Sequence, residues 1–365
     1  MSLTTIDKKT DAMLRIVPSA EQQAAVGALA GCAFCLFILS LILGGGIWMR
    51  FSLLYLVLIL SAVAMILRRQ QRTIEISVPD ACLYFIGRRK RDVYSIPFGM
   101  VESLRLTRRT SGGELVDSAL RRSSGGRQPF HLDLILKDAG FETLDRSVLG
   151  PDLAATALEI AEKTGFAIED HADIGFSRAA TKEYPPQDIS LEERALLHST
   201  LRETQEGDGT QFFWSLSPGK LYLALMALAA GGLVYGGGYG AFAAAEGEES
   251  TLSGIILLFV CGFFGYMILW RMVRAVAGRG FLWWDTATLR FGNTLLGKEY
   301  ASVLLELRDV QSVKVLVPRV GKARVEATQE SGERFILADV SSPLAPLSTG
   351  DLHWLAGKLR TMLRK

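Results

Sequence analysis

Four long stretches without a single charged side chain constrain this sequence more than any other feature. They cover residues 26–43, 51–67, 221–245 and 252–270. Each is close to the ~20 apolar residues that an α-helix needs to cross the ~30 Å hydrocarbon core of a bilayer. A buried helix of a soluble protein would explain one such stretch. Four of them predict a membrane protein whose spans come in two hairpins, 26–67 and 221–270.

Arginine residues at the ends of these stretches predict the orientation of the chain. Arg68, Arg69 and Arg72 follow the second stretch, and Arg271, Arg274 and Arg279 follow the fourth. The loop between the third and fourth stretches holds Glu246, Glu248 and Glu249, and neither Lys nor Arg. Because basic residues are enriched in cytoplasmic loops, both termini and both long polar segments are expected in the cytoplasm.

A six-residue pattern occurs in both halves of the chain. Val101–Leu106 and Val310–Val315 share the order apolar, polar, Ser, apolar, basic, apolar, which is typical of a half-buried strand. A strand–turn–strand pattern precedes each copy, and a hairpin with a turn glycine, Gly140 or Gly332, follows it. Each copy then ends in an amphipathic helix that starts at an Asp-Leu pair. This shared order predicts a duplicated unit of membrane hairpin, strands and C-terminal helix.

A pair of membrane helices followed by a small β domain and one helix resembles the bacterial membrane-anchored proteins with PH-like domains. The resemblance covers about 73–165 and 280–364, with the hairpins before them. It implies a multi-pass protein of the inner (cytoplasmic) membrane, with both termini cytoplasmic. The expected fold is therefore an α-helical membrane protein with four spans plus two α+β PH-like domains, each an antiparallel β barrel or sandwich capped by a C-terminal helix. The expected segments are a cytoplasmic tail (1–25), membrane hairpin 1 (26–67), PH-like domain 1 (69–165), an acidic linker (166–216), membrane hairpin 2 (221–270) and PH-like domain 2 (276–365).

The acidic linker carries two local signals. Ser190-Leu191-Glu192-Glu193 is a capping-box pattern that predicts a short helix to about Glu203. Phe212-Phe213-Trp214 precedes the third uncharged stretch, and we expect these rings to anchor it at the membrane interface.

The uncharged stretches themselves indicate packing and not transport. Glycines such as Gly231, Gly236 and Gly262 let membrane helices approach closely, which favours a tight helix bundle or a homo-oligomer. None of the four stretches contains Asp, Glu, Lys, Arg or His. Since such residues normally mark ion or substrate pathways, a transporter is disfavoured.

The candidate binding residues are Arg88, Arg89, Lys90 and Arg91, in a loop between two predicted strands. Basic clusters beside a bilayer attract anionic lipid head groups, by ~1 kcal/mol per Lys or Arg. The same residues are also explained as solvated loop charges that set the topology, and both readings stay open. Nucleic acid is disfavoured because no aromatic residues interleave with the basic ones.

No catalytic, cofactor or metal motif occurs in the sequence, and its four histidines are scattered. The sequence therefore predicts a non-enzymatic membrane scaffold or regulatory protein that presents two cytoplasmic PH-like domains to an unidentified protein partner. The alternative is a module that senses anionic lipid through the basic loop. A buried polar pocket around His131 or His353 would favour an enzyme instead.

Overall fold

In the part of the chain that the structure describes, three β-sheets form the framework, two with five strands and one with seven. The computed structural model describes residues 4–9, 12–42, 71–87, 93–108, 129–185, 201–206, 209–216, 220–245, 251–318, 322–340 and 347–363, with a few positions between 53 and 68. Strands follow chain order in each five-stranded sheet, whereas the seven-stranded sheet takes strands from both halves of the chain.

The first five-stranded sheet begins in the N-terminal segment. Its strands are β1 (Thr4–Lys9), β2 (Met13–Pro18), β3 (Thr73–Ser77), β4 (Cys82–Ile86) and β5 (Val93–Pro97). After β2 the chain leaves through helix α1 (Ala20–Ile42) and returns at β3, which pairs with β2. Leu14, Ile16, Ile74 and Ile76 face the core, because alternate side chains of a strand point to the same side.

The next elements build the first part of the seven-stranded sheet. They are β6 (Val101–Arg108), β7 (Phe130–Leu136), β8 (Phe141–Ser147), helix α2 (Gly150–Thr164) and β9 (Ala167–Asp170). Helix α2 has Pro151 in its first turn and ends at Gly165, whose φ of 79° suits a left-handed C-cap. β9 then pairs with β6 in parallel. One hydrophobic core joins α2 and these strands to the first sheet.

The second five-stranded sheet contains a pair of helices between two of its strands. Its elements are β10 (Arg202–Glu206), β11 (Gly209–Ser215), helices α3 (Lys220–Ala245) and α4 (Thr251–Ala277), then β12 (Gly278–Trp284), β13 (Thr288–Leu295) and β14 (Lys298–Glu306). β11 and β12 pair antiparallel, so the helices leave and return at neighbouring strands. A Cβ on Gly236 would lie 3.3 Å from Cys261 Sγ, so this glycine allows α3 to approach α4 closely.

The last elements complete the seven-stranded sheet. They are β15 (Val310–Val317), β16 (Ala323–Gln329), β17 (Arg334–Val340) and helix α5 (Thr349–Leu363). The strand order is β17-β16-β15-β8-β7-β6-β9, and β8 pairs with β15 in parallel, with Phe141 opposite Leu316. A Cβ on Gly140 would lie only 2.7 Å from Val315 O, so this pairing needs glycine there. Positive φ in that turn belongs to Ala139, not to Gly140.

The prediction of a four-span membrane protein is wrong. Among the described residues only one helical segment, Gly254–Ala277, is long and apolar enough to span a bilayer, with 24 residues and a mean hydropathy of 2.0. The apolar part of α1 is Gln23–Leu39, which is shorter than the ~20 residues of a span. The stretch 51–67 is described only at scattered positions. An uncharged stretch is therefore not by itself a spanning helix.

The prediction of two separate PH-like domains is also wrong. The pairing of β8 with β15 places strands of both halves in one sheet, and β15–β17 with α5 belong to the same compact unit as the first half, so the two halves are not separate domains. The N-terminal tail is part of the first sheet, and the linker contributes β9, β10 and β11. The expected linker helix falls largely on residues outside the described ones, and β10 begins at Arg202.

Internal contacts divide the chain into two units that do not follow chain order. The first unit holds the first five-stranded sheet, the seven-stranded sheet, α1, α2 and α5, and the second unit holds the second five-stranded sheet, α3 and α4. The element order of β1–β8 with α2 matches that of β10–β17 with α5. In each series helix follows the second strand: α1 follows β2, and α3 and α4 follow β11. Origin by duplication and the predicted segment boundaries stay predictions.

Candidate binding groove and buried charge cluster

The predicted lipid-contact loop lies outside the described residues. Arg88, Arg89, Lys90 and Arg91 come between the end of β4 and the start of β5. Head-group contact by this loop therefore stays a prediction.

Four polar side chains from distant parts of the chain meet inside the first unit, and we call them the charge cluster. Arg72 precedes β3, Tyr94 lies on β5, Glu142 on β8 and His353 on α5. Arg72 Nη1 and the Tyr94 hydroxyl both donate to Glu142 Oε1, and Arg72 Nη2 donates to the backbone oxygen of Thr143. His353 Nε2 lies 3.5 Å from Glu142 Oε2. The cluster thus connects both halves of the chain.

Aromatic rings pack around the charge cluster. Phe85 and Tyr94 stack with their centroids 4.9 Å apart and their planes within 5°. The Arg72 guanidinium carbon lies 5.3 Å from the Phe85 centroid, within the range of a cation–π contact. The His353 ring lies 5.4 Å from the Tyr94 ring. These contacts fix the rotamers of the side chains that hydrogen-bond Glu142.

Opposing effects set the protonation of the charge cluster. Burial alone would raise the pKa of Glu142, because a low dielectric disfavours the carboxylate, but Arg72, His353 and Tyr94 outweigh it and the pKa is lowered. Burial would likewise lower the pKa of Arg72, but the Glu142 carboxylate outweighs it and the pKa is raised. Each member of the Arg72–Glu142 pair therefore keeps the other charged at neutral pH.

The charge cluster is closed to solvent except at Arg72. The side chains of Glu142 and His353 are 0% exposed, and that of Arg72 is 15% exposed. His131, the other histidine of interest, is also buried, on β7. A catalytic group must reach its substrate, and the charge cluster is packed against protein. Its geometry supports a structural joint.

Another ion pair ties the two halves of the chain together. Arg360 of α5 pairs with Asp138 in the turn between β7 and β8, and Arg360 Nε donates to Val313 O at 2.8 Å. Asp138 Oδ1 also accepts from the backbone N–H of Gly140 at 2.9 Å. The turn that carries β8 to β15 is thus held by helix α5.

An open groove lies on one face of the second five-stranded sheet. Its volume is about 810 Å³. The strand register places three cross-strand rows on this face: Gln211–Trp283–Arg290, Phe213–Phe281–Gly292 and Ser215–Arg279–Thr294. Phe281 is buried at the floor, while Phe213 and Trp283 are half-buried beside it. A Cβ on Gly209 would lie 2.6 Å from Trp283 Nε1, so glycine makes room for the indole.

An arginine lies at each end of the groove, and Glu299 on β14 lines it as well. Arg279 and Arg290 are both exposed and line it. Arg290 Nη2 pairs with Glu299 Oε2 at 2.5 Å. The Arg279 side chain has no ion-pair partner among the residues that the structure describes. Leu296 forms part of the rim and is 78% exposed.

Strand β14 forms one edge of the second sheet and is unusually exposed. It pairs with β13 alone within that sheet. Tyr300, Val303 and Leu304 are all exposed, Leu304 by 62%. Its counterpart β5 is buried over most of its length, where Tyr94 packs against His353. Sequence patterns placed both strands but gave no sign that one edge is covered and the other open.

Helix α4 exposes its apolar side chains. Only 6% of its most apolar 18-residue stretch is buried. Phe259, Tyr266 and Val276 are more than half exposed. Arg274 in its last turn donates to the Tyr300 hydroxyl at 3.0 Å and lies 5.2 Å from that ring. The end of α4 is thus fixed to β14.

The described residues contain no group of three His, Cys, Asp or Glu side chains that could hold a metal ion.

Neither a protein-family model nor a curated protein matches this chain.

Proposed function

We propose that this protein is a non-enzymatic scaffold or regulatory protein of the bacterial inner membrane, which presents its sheets to a protein partner in the cytoplasm. Helix α4 is its membrane anchor together with α3, because the two helices leave and return at the paired strands β11 and β12 and must therefore enter the bilayer as a hairpin. The open edge of β14 is its docking site. The partner contributes an extended segment that pairs with β14, as in other complexes formed by strand addition. The exposed edge of β14 is the observation that carries this proposal.

Helix α4 supports the membrane assignment through its exposure. Apolar surface in water costs ~25 cal/mol per Å², and apart from residues such as Cys261 and Ala275 most side chains of α4 are not covered by the rest of the described chain. A bilayer removes that surface from water. Arg271 and Arg274 lie in the last two turns of α4 and Arg279 just after it, which agrees with a cytoplasmic location of the second sheet.

The edge of β14 supports the docking assignment because natural proteins normally protect such edges. Unpaired strand edges are covered, shortened or charged in soluble proteins, since they pair readily with other chains. β14 is nine residues long and exposes Tyr300, Val303 and Leu304. The covered edge at β5 shows that the same chain protects the equivalent strand elsewhere.

The alternative function, lipid sensing through Arg88–Arg91, keeps its basis in the sequence. Its test is the binding of the chain to anionic liposomes. Replacement of all four residues by Ala should reduce this binding, and the reduction should be largest at low salt, where charges are screened least.

The scaffold proposal is tested by purification of the full-length protein from mildly solubilised membranes, followed by mass spectrometry. We expect a near-stoichiometric partner with the native chain and its loss with Leu304→Lys, because a charge there opposes an apolar docking strand. Leu149→Lys is the matched control, since Leu149 is 54% exposed and lies just before α2.

Two results would refute the scaffold proposal. Recovery of only the protein itself would show that it has no stable partner. Equal loss of the partner with both lysine variants would show that β14 is not the docking site.

A further inference from the structure

The groove on the second sheet begins where the apolar helix ends. Val276 and Ala277, the last residues of α4, line it together with Arg279 at the start of β12. If α4 is the membrane anchor, the groove lies at the boundary between hydrocarbon and water. This inference therefore depends on the membrane assignment proposed above.

The lining of the groove is amphipathic along its length. The aromatic floor of Phe213, Phe281 and Trp283 lies between Arg279 and Arg290. Glu299 lies in the cross-strand row of Arg279 and Thr294 and also lines the groove. Glu299 offsets the charge of Arg290. Arg279 has no such counter-ion among the described residues, so it is the stronger attractor for an anion.

We propose that this groove binds one anionic phospholipid, whose phosphodiester contacts Arg279 and whose glycerol and upper acyl chains lie on Val276, Leu296 and the aromatic floor. A guanidinium suits a phosphate because its N–H donors match the phosphate oxygens in pairs. The exposed Leu296 at the rim is placed to enter the interfacial region beside the lipid.

The position of the groove favours a lipid over a soluble phosphate compound. A water-soluble ligand needs no continuous apolar surface, whereas here the wall of the groove is the last turn of an exposed apolar helix. Arg271 and Arg274, on the same helix end, add a general attraction for an anionic leaflet. That attraction is unspecific, so the test must separate it from binding in the groove.

Native mass spectrometry of the full chain in detergent, titrated with phosphatidylglycerol or phosphatidylcholine, tests this site. We expect one preferred phosphatidylglycerol molecule per chain. Arg279→Ala should weaken it about fivefold, which is ~1 kcal/mol at 1.4 kcal/mol per tenfold. Arg279→Lys should keep part of the affinity, because it retains the charge but not the paired donors.

Arg271→Ala is the matched control, because it removes an exposed charge from the same helix end but outside the groove. Equal weakening by Arg271→Ala and Arg279→Ala would overturn the site in favour of general charge attraction. Lack of preference for phosphatidylglycerol over phosphatidylcholine would also overturn it, as would equal binding of free glycerol phosphate in the same titration.

A separate measurement distinguishes failure of this site from failure of the proposed membrane anchor. Retention of the native chain in membranes after alkaline carbonate washing tests the anchor alone. A chain that stays in the membrane but lacks the lipid preference refutes only the lipid site, whereas release of the chain refutes both.

Discussion

The Arg72–Glu142 pair offers the most direct test of the charge cluster, which the contact of Glu142 with His353 extends to the second half of the chain. Glu142→Gln keeps the size of the side chain but leaves the Arg72 cation, 15% exposed, without its counter-ion. Removing one partner of a buried ion pair costs 3–5 kcal/mol, and the glutamine still accepts a hydrogen bond from Tyr94, so we expect a loss of about 3 kcal/mol. At ~2–4 °C per kcal/mol, the unfolding midpoint of the full chain in detergent micelles should fall by roughly 6–12 °C.

The dependence of this loss on pH follows from the lowered pKa of Glu142. Its pKa in the unfolded chain is ~4.3, and the folded value is lower because Arg72, Tyr94 and His353 outweigh the effect of burial. A carboxylate with a lowered folded pKa stabilises the protein fully above the unfolded pKa, and this contribution disappears as the pH falls through the folded pKa. The difference in stability between the native chain and Glu142→Gln should therefore be full at pH 7 and shrink below about pH 4.3.

Two further variants decide whether the ion pair itself is responsible. The double variant Arg72→Met/Glu142→Leu removes both charges and should lose less than Glu142→Gln alone, because no unpaired charge remains buried. Glu102→Gln, at an exposed position of β6, should change the midpoint little. A midpoint for Glu142→Gln within ~1 °C of the native one, or a loss that is constant down to pH 3, would refute this account of the charge cluster.

Three other predictions concern single contacts. Gly236→Leu should destabilise the chain by roughly 1–3 kcal/mol in micelles, because the new side chain meets Cys261, and thermal unfolding measures this. Arg360→Met leaves the Asp138 carboxylate without its cation, so hydrogen exchange in the turn between β7 and β8 should accelerate at least tenfold. Asp170→Ala removes an acceptor that binds three backbone N–H groups, and the segment after β9 should become sensitive to proteolysis at neutral pH.

Local patterns predicted many elements correctly because short-range chemistry determines them. The repeated hexapeptide forms β6 in one half and β15 in the other, as its alternation predicts. The turn glycine Gly332 adopts a φ of 84°, as a hairpin requires. Helix α2 ends at Gly165, whose lack of a Cβ permits the left-handed cap.

Other elements were missed because their partners are far away in the sequence. The sequence predicts an interfacial anchor at Phe212 and Trp214, but both are buried strand residues of β11, and the Trp214 ring covers Gly280. The alternation of Leu14 and Ile16 in β2 was a usable signal, hidden by the polar residues around it. No local pattern could reveal the charge cluster, whose members Glu142 and His353 lie in different halves.

The parallel joint between β8 and β15 also has a consequence for how the protein is made. Phe141 pairs with Leu316, which is synthesised 175 residues after it (316 − 141). At ~5–20 residues per second, the edge of β8 stays unpaired on the ribosome for roughly 10 to 35 s. Helices α3 and α4 also emerge during that time. The apolar helices must therefore be inserted while the edge of β8 is still unpaired. A chaperone that holds β8 during translation would therefore raise the yield of this protein more than one that acts after its release.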